Sequence, residues 1–201
     1  MDRLARRAIL AGLAGLAGLA GCSVLPNRPY QQKRLWPLGD ASLPPRQGPR
    51  GAPVLLVRAT QAAPGLEARG LRQHRADGSL ATDYWEEWAA PPAPAVEAAL
   101  RARLAAAGLF AAVVAPGSRL DAHRALESQL LDLSDDGTTA TAVIGWTLID
   151  LDRDNTPILQ RTSTGTAPVA EATAPARAAA QNAALAAALD QIIAALRTVS
   201  R

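Results

Sequence analysis

The sequence predicts an α+β fold: a mostly antiparallel sheet with two main helices packed on one face. Three observations predict it. Strand-like segments flank Asp77-Gly78, a two-residue hairpin signal. Others flank Asp135-Asp136-Gly137 and form a meander. Two further stretches, after Pro91-Pro92 and at the C-terminal end, carry apolar residues at helical spacing. Strands grouped in hairpins, with helices set apart from them, place the helices on one side of the sheet.

The elements follow in order. Residues 1–7 carry Arg3, Arg6 and Arg7, and residues 8–20 run without a charge. A basic start, a short apolar middle and small residues at the end describe a secretory signal. The apolar run is short of the roughly 20 residues a bilayer needs; a short uncleaved anchor helix is the alternative. Leu19-Ala20-Gly21-Cys22 follows, and Cys22 is the sole cysteine. The four residues resemble a bacterial lipobox, in which the cysteine sulfur takes a diacylglyceryl group, the chain is cut before it and the new amine is acylated. Cys22 is therefore expected to be the lipid attachment point. One acyl chain binds a membrane marginally, and two or three anchor it stably. No second cysteine is left for a disulfide, so the exported part must hold together by its core.

Removal of residues 1–21 leaves 180 residues and lowers the formal net charge from +3 to +1. The basic balance of the precursor thus belongs largely to the signal, and there is no electrostatic case for nucleic acid. Residues 23–53 hold seven of the fifteen prolines and read as an extended tether. Within it, Arg34-Leu35-Trp36-Pro37-Leu38 is expected to dock on the domain edge, since Pro37 bars it from a central strand. The expected organisation is a signal over 1–21, a lipidated cysteine and tether over 22–53, and one domain over 54–201.

Val54-Leu55-Leu56-Val57 reads as a strand buried on both faces. With Asp77 and Gly78 at the centre of the hairpin turn, Arg72 faces Asp83, Arg69 faces Glu86 and Leu71 faces Tyr84. Such cross-strand pairs contribute about 0.2–1 kcal/mol each. Val96, Leu100 and Leu104 define the first helix, stopped by Gly108. Strands are expected over 109–114, 124–133, 138–150 and 158–166. In the third of these, Ala140, Ala142, Ile144, Trp146 and Leu148 share a face. The last helix spans 174–199, with Leu185, Leu189, Ile192, Ile193 and Leu196 as its apolar stripe.

The search for chemistry yields little. His74 and His123 are the only histidines, and they pair only if the fold brings them together. There is no nucleophile elbow, phosphate-binding glycine loop or zinc spacing. Asp150, Asp152, Asp154 and Asn155 resemble the start of a calcium loop, but Arg161 stands where the last carboxylate belongs, which favours an acidic turn. Glu86 and Glu87, adjacent on a strand, point to opposite faces and are not expected to work jointly. No catalytic residue, metal or cofactor is expected. The aromatics are more telling, because Tyr84, Trp85 and Trp88 fall within five residues. In a regular strand Tyr84 and Trp88 share one face, as core residues or as partner anchors. Trp85 takes the other face and is the better candidate for an exposed anchor, since Trp and Tyr dominate interface hot spots.

The order of these pieces resembles the auxiliary lipoproteins of ABC-type transport systems, the lipoprotein partners of MCE-type intermembrane lipid transporters of the paraquat-inducible kind. It covers roughly 35–196. Its carriers are the lipobox at Cys22, the strand 54–57, the segment DYWEEWAAPP before a helix, LFAAVV after it, and TLIDLDRDNTPIL before the final helix. The family's tyrosine, tryptophan and prolines map onto Tyr84, Trp88, Pro91 and Pro92; Glu87 replaces the basic residue common before the tryptophan. The resemblance implies a non-enzymatic subunit on the periplasmic face of the outer membrane. It would receive the tip of an MCE tunnel protein that carries phospholipid, with phospholipid contact by the domain itself left open. Ser23 is compatible with outer-membrane sorting, because the retention signal known from enteric bacteria is Asp there. An envelope-assembly or structural lipoprotein is the alternative, and a lipid-active enzyme a distant third.

Overall fold

The structure, a computed structural model, describes residues 30–199. Cys22 and the signal segment lie outside the described residues. Residues from Lys33 onward form one compact unit. Its elements are β1 (Arg34–Trp36), β2 (Val54–Val57), β3 (Gln61–Ala62), β4 (Gly70–His74), β5 (Leu80–Trp88), α1 (Pro92–Ala107), β6 (Ala112–Val114), β7 (Arg124–Asp135), β8 (Thr139–Asp150), β9 (Thr156–Pro168) and α2 (Ala174–Val199). Among the described residues this is an α+β fold, a nine-stranded sheet with two helices.

The long strand β7 organises the sheet. Along one edge it pairs antiparallel with β8, which pairs antiparallel with β9. Along the other edge it meets β2, β3 and β4 in succession, all parallel. Beyond β4 come β5 and then β1, and β6 lies beside β2. The antiparallel ladders are the long ones, so the sheet is mostly antiparallel as expected. The short parallel pairs were not foreseen.

The core follows the two periodicities. Ala140, Ala142, Ile144, Trp146 and Leu148 of β8 are all buried, as are Leu185, Leu189, Ile192, Ile193 and Leu196 of α2. By length and composition α2 could span a bilayer, but its stripe lies on the sheet. Its contact with β9 is close because Gly165 has no side chain: a Cβ there would meet the Ala184 oxygen and the Ala188 nitrogen of the helix backbone. Val96, Leu100 and Leu104 seal α1 onto the same core. Pro92 stands at its first turn, where a missing N–H costs nothing, and Gly108 caps it in the left-handed region.

The proline-rich segment is not a free tether throughout. Residues 33–53 belong to the compact unit, which corrects the expected boundary at 54. β1 docks on the sheet edge as anticipated, parallel to β5. Leu38 then enters the core. The Asn182 side chain of α2 accepts from Gly39 N (2.7 Å) and donates to Pro37 O (2.9 Å). Further on, Arg46 N donates to Ala105 O at the end of α1 (3.0 Å). Prolines dictate an extended chain here, and that extended chain lies on the body.

Candidate functional site

The β4–β5 hairpin departs from the expected register. Its loop has three residues, not two. Gly78 N donates to Arg75 O (3.0 Å), Arg75 N donates to Ser79 O (2.8 Å), and Gly78 has φ +83°. That is a tight turn closed by a left-handed glycine. Arg72 consequently faces Thr82 and Gln73 faces Ala81, one residue away from the predicted pairing, so the Arg72–Asp83 and Leu71–Tyr84 pairs do not form.

A larger irregularity follows. Gly70 pairs with Glu87, so two steps along β4 correspond to five along β5. Three extra residues loop out of β5. The loop is held from within: the Asp83 carboxylate accepts from Trp85 N (2.9 Å) and Glu86 N (3.1 Å). Gly70 provides the space, since a Cβ there would meet the Asp83 carbonyl. This bulge breaks the alternation on which the aromatic prediction rested.

Tyr84 is therefore 65% exposed and Trp85 38% exposed, while Trp88 is 1% exposed. Tyr84 is not a core residue, and Trp88 is one; Trp88 cannot meet a partner without unfolding. The Tyr84 and Trp85 rings pack edge to face, with centroids 4.9 Å apart. Lys33 Nζ lies 4.1 Å from the Tyr84 ring centroid, a cation–π contact. Leu35, also exposed, lies on the adjoining strand β1.

Next along β5 come Glu86 and Glu87, both buried. Their partners differ, but they share a task. Glu86 accepts from Arg34 Nε (2.7 Å) and from Trp36 Nε1 (2.9 Å). Glu87 pairs with Lys33, and with Arg69 at 2.9 Å. Lys33 foremost, by hydrogen bond and charge, with Arg69 in support, holds the Glu87 carboxyl below its ordinary range. The two carboxylates thus fasten the chain arriving from the N-terminus to the sheet edge. Sequence reasoning missed this role. Its signal was a pair of consecutive cations, Lys33 just before the segment expected to dock and Arg34 at its start, and two consecutive anions in the hairpin.

The remaining candidates separate. His74 lies beside the Asp135 end of β7, and His123 precedes the opposite end. A twelve-residue strand keeps them roughly 35 Å apart. Asp150 is engaged by Arg124 (2.6 Å) and by the Asp152 N–H (3.1 Å), and Asp154 and Asn155 turn the chain with positive φ.

A family model described as "ABC-type transport auxiliary lipoprotein component" matches residues 37–193. No curated protein matches the chain. Solved structures share its fold. A protein from Xanthomonas campestris is 19% identical, with a TM-score of 0.64 over 80% of this chain and 92% of its own. An uncharacterized protein is 13% identical, with a TM-score of 0.63 over 81% of this chain and 99% of its own. A hypothetical protein from Chlamydia trachomatis is 8% identical, with a TM-score of 0.50 over 74% and 98%.

Proposed function

The chain belongs to the family of ABC-type transport auxiliary lipoprotein components, and from that premise we propose that it is a non-catalytic docking subunit, acylated at Cys22 and held to the periplasmic face of the outer membrane. Its partner is an MCE-type tunnel protein that carries phospholipid between the membranes. The observation that carries the docking role is the exposed Tyr84–Trp85 pair. The bulge in β5 lifts it out of the sheet at the edge where the anchored chain enters the body. Two aromatic rings held rigidly against each other offer large contact area at little entropic cost, which is what interface anchors require.

The anchor and the docking edge are close along the chain. Lys33 lies eleven positions after Cys22, a reach of at most about 40 Å. A partner seated on Tyr84 and Trp85 is then received near the membrane surface. Ser23 after the lipidated cysteine fits export to the outer membrane.

Co-purification from detergent-solubilised envelopes tests this reading. The lipidated protein is expected to bring down an MCE protein. Trp85→Ala should weaken that association by about 2 kcal/mol, roughly thirtyfold, without unfolding the domain. Undiminished capture by the Tyr84→Ala/Trp85→Ala double variant would refute the docking site. Hydrolase activity toward phospholipid that survives purification would refute the non-catalytic role.

A further inference from the structure

The arriving strand and the aromatic pair are held by the same few side chains. Lys33 pairs with Glu87 and sets its ammonium over the Tyr84 ring. Arg34 and the Trp36 indole both donate to the Glu86 carboxylate, at 2.7 and 2.9 Å. The Glu86 N–H in turn donates to Asp83 and helps to close the loop that carries Tyr84 and Trp85. Glu86 thus holds β1 with its side chain and the loop with its backbone. The ladder adds a further tie, since Arg34, Leu35 and Trp36 lie opposite Glu86, Glu87 and Trp88.

Tyr84 has little else to fix it. Most of its surface is open to solvent. Among the described residues, Trp85 is the one ring and Lys33 the one cation packed on it. The Trp85 contact lies within the loop, whereas the Lys33 contact reaches it from the arriving chain. With Lys33 in place Tyr84 still presents most of its surface, so a partner can cover the pair without displacing the ammonium.

We propose that Lys33 is a positioning residue of the docking site and that, through it, seating of β1 and occupancy of the Tyr84–Trp85 pair are coupled. The inference rests on the docking role proposed above and adds its regulation. A partner that packs on rings already steadied by Lys33 favours the seated strand. Linkage makes the effect mutual, so a chain with β1 unseated binds the partner less well. Tension on the tether that draws Lys33 away then loosens the partner's hold, and the grip is strongest on a slack anchor.

The test uses the mature lipidated chain in detergent, with the MCE protein as the probe. Without the partner, the Lys33 ε-methylene protons should lie upfield by NMR, shielded by the Tyr84 ring, and Tyr84→Leu should return them to their ordinary position. Tyr84→Leu should also speed exchange of the Trp36 indole N–H, which reports the seating of β1. The expected factor is about two- to fivefold, the equivalent of one exposed cation–π contact. Saturation with the partner should slow that exchange by a like factor. Lys33→Met should weaken capture about two- to fivefold, and Lys33→Arg, which keeps a cation over the ring, should restore it. Glu87 retains Arg69 in both variants, so neither leaves a buried charge unpaired. Indole exchange unmoved or quickened by the partner overturns the coupling. Capture by Lys33→Met equal to wild type, with capture lost in the Tyr84→Ala/Trp85→Ala variant, overturns the coupling and leaves the docking role standing. Undiminished capture by that double variant overturns both.

Discussion

Gly70→Ala tests the device that exposes the aromatic pair. An added Cβ would meet the Asp83 carbonyl and lie 2.7 Å from Thr82 Cγ2. The threonine methyl can rotate away. The carbonyl cannot, because the Asp83 side chain fixes the loop through Trp85 N and Glu86 N. Gly70 has no positive φ, so the whole cost is space. Forcing a methyl into such a site costs about 1–3 kcal/mol. Against this, alanine restricts the unfolded chain and returns about 0.4–1 kcal/mol. The net expectation is about 1–2 kcal/mol of destabilisation. For a body of this size each kcal/mol moves Tm by about 2–4 °C, so Tm should fall by about 2–8 °C in a circular-dichroism melt. Tryptophan emission should shift as Trp85 moves, and capture of the docking partner should drop with it. An unchanged or raised Tm would refute the claim that the bulge leans on this glycine.

Further perturbations have equally definite outcomes. Arg177 donates to the fully buried Asp135 carboxylate at 2.9 Å; Arg177→Met should cost about 3–5 kcal/mol by leaving that charge under-compensated, while breaking the exposed Arg58–Glu127 pair should cost about 0–1 kcal/mol, both measured by urea denaturation. Glu87 has its folded pKa depressed, so its clamp on Lys33 and Arg69 is fully present above the ordinary carboxylate value and weakens as pH falls through the lower folded one; proteolysis before Lys33 should accelerate below about pH 4, and Glu87→Gln should show fast cleavage at neutral pH. Asp136 is held at about 2 by the Thr138 hydroxyl and the N–H groups of Thr139 and Thr138, so Asp136→Asn should lower Tm at pH 7 and flatten the loss of Tm between about pH 4 and 2. Cys22→Ala should accumulate unlipidated precursor, visible by mass spectrometry.

What could be read ahead of the structure was whatever a strict period announces. The stripe of α2 and the inward face of β8 were legible because burial on one side leaves residues every 3.6 or every two positions. The β4–β5 hairpin was legible from Asp77-Gly78, but its register was not. Two- and three-residue loops both end in glycine, and a slip of one residue moves every side chain to the other face. The bulge was hidden because β5 itself carries no glycine or proline to announce it; the permissive residue, Gly70, sits on the partner strand. That misled the reading of Tyr84, while Trp85 was rightly expected at the surface. The parallel contacts of β2 with β6 and β7 had no local signal, since they join segments far apart in sequence. The docking of residues 33–53 depended on Asn182, more than 140 positions away, and on the two glutamates.

The way the chain enters the body has a mechanical consequence. Any tension reaching Lys33 acts along the axis of β1, lengthwise to its ladder with β5. The three-residue ladder, both glutamate ties and the Asn182 grip on the next turn of chain then share the load in shear, and must fail together for the N-terminal strand to come away. In the proposed role, a protein moored in one membrane and gripped by an assembly rooted in another would be tugged whenever the gap between them fluctuated. Against such a pull the ladder and its ties would act as a weld, where a simple leash would have sufficed for attachment alone.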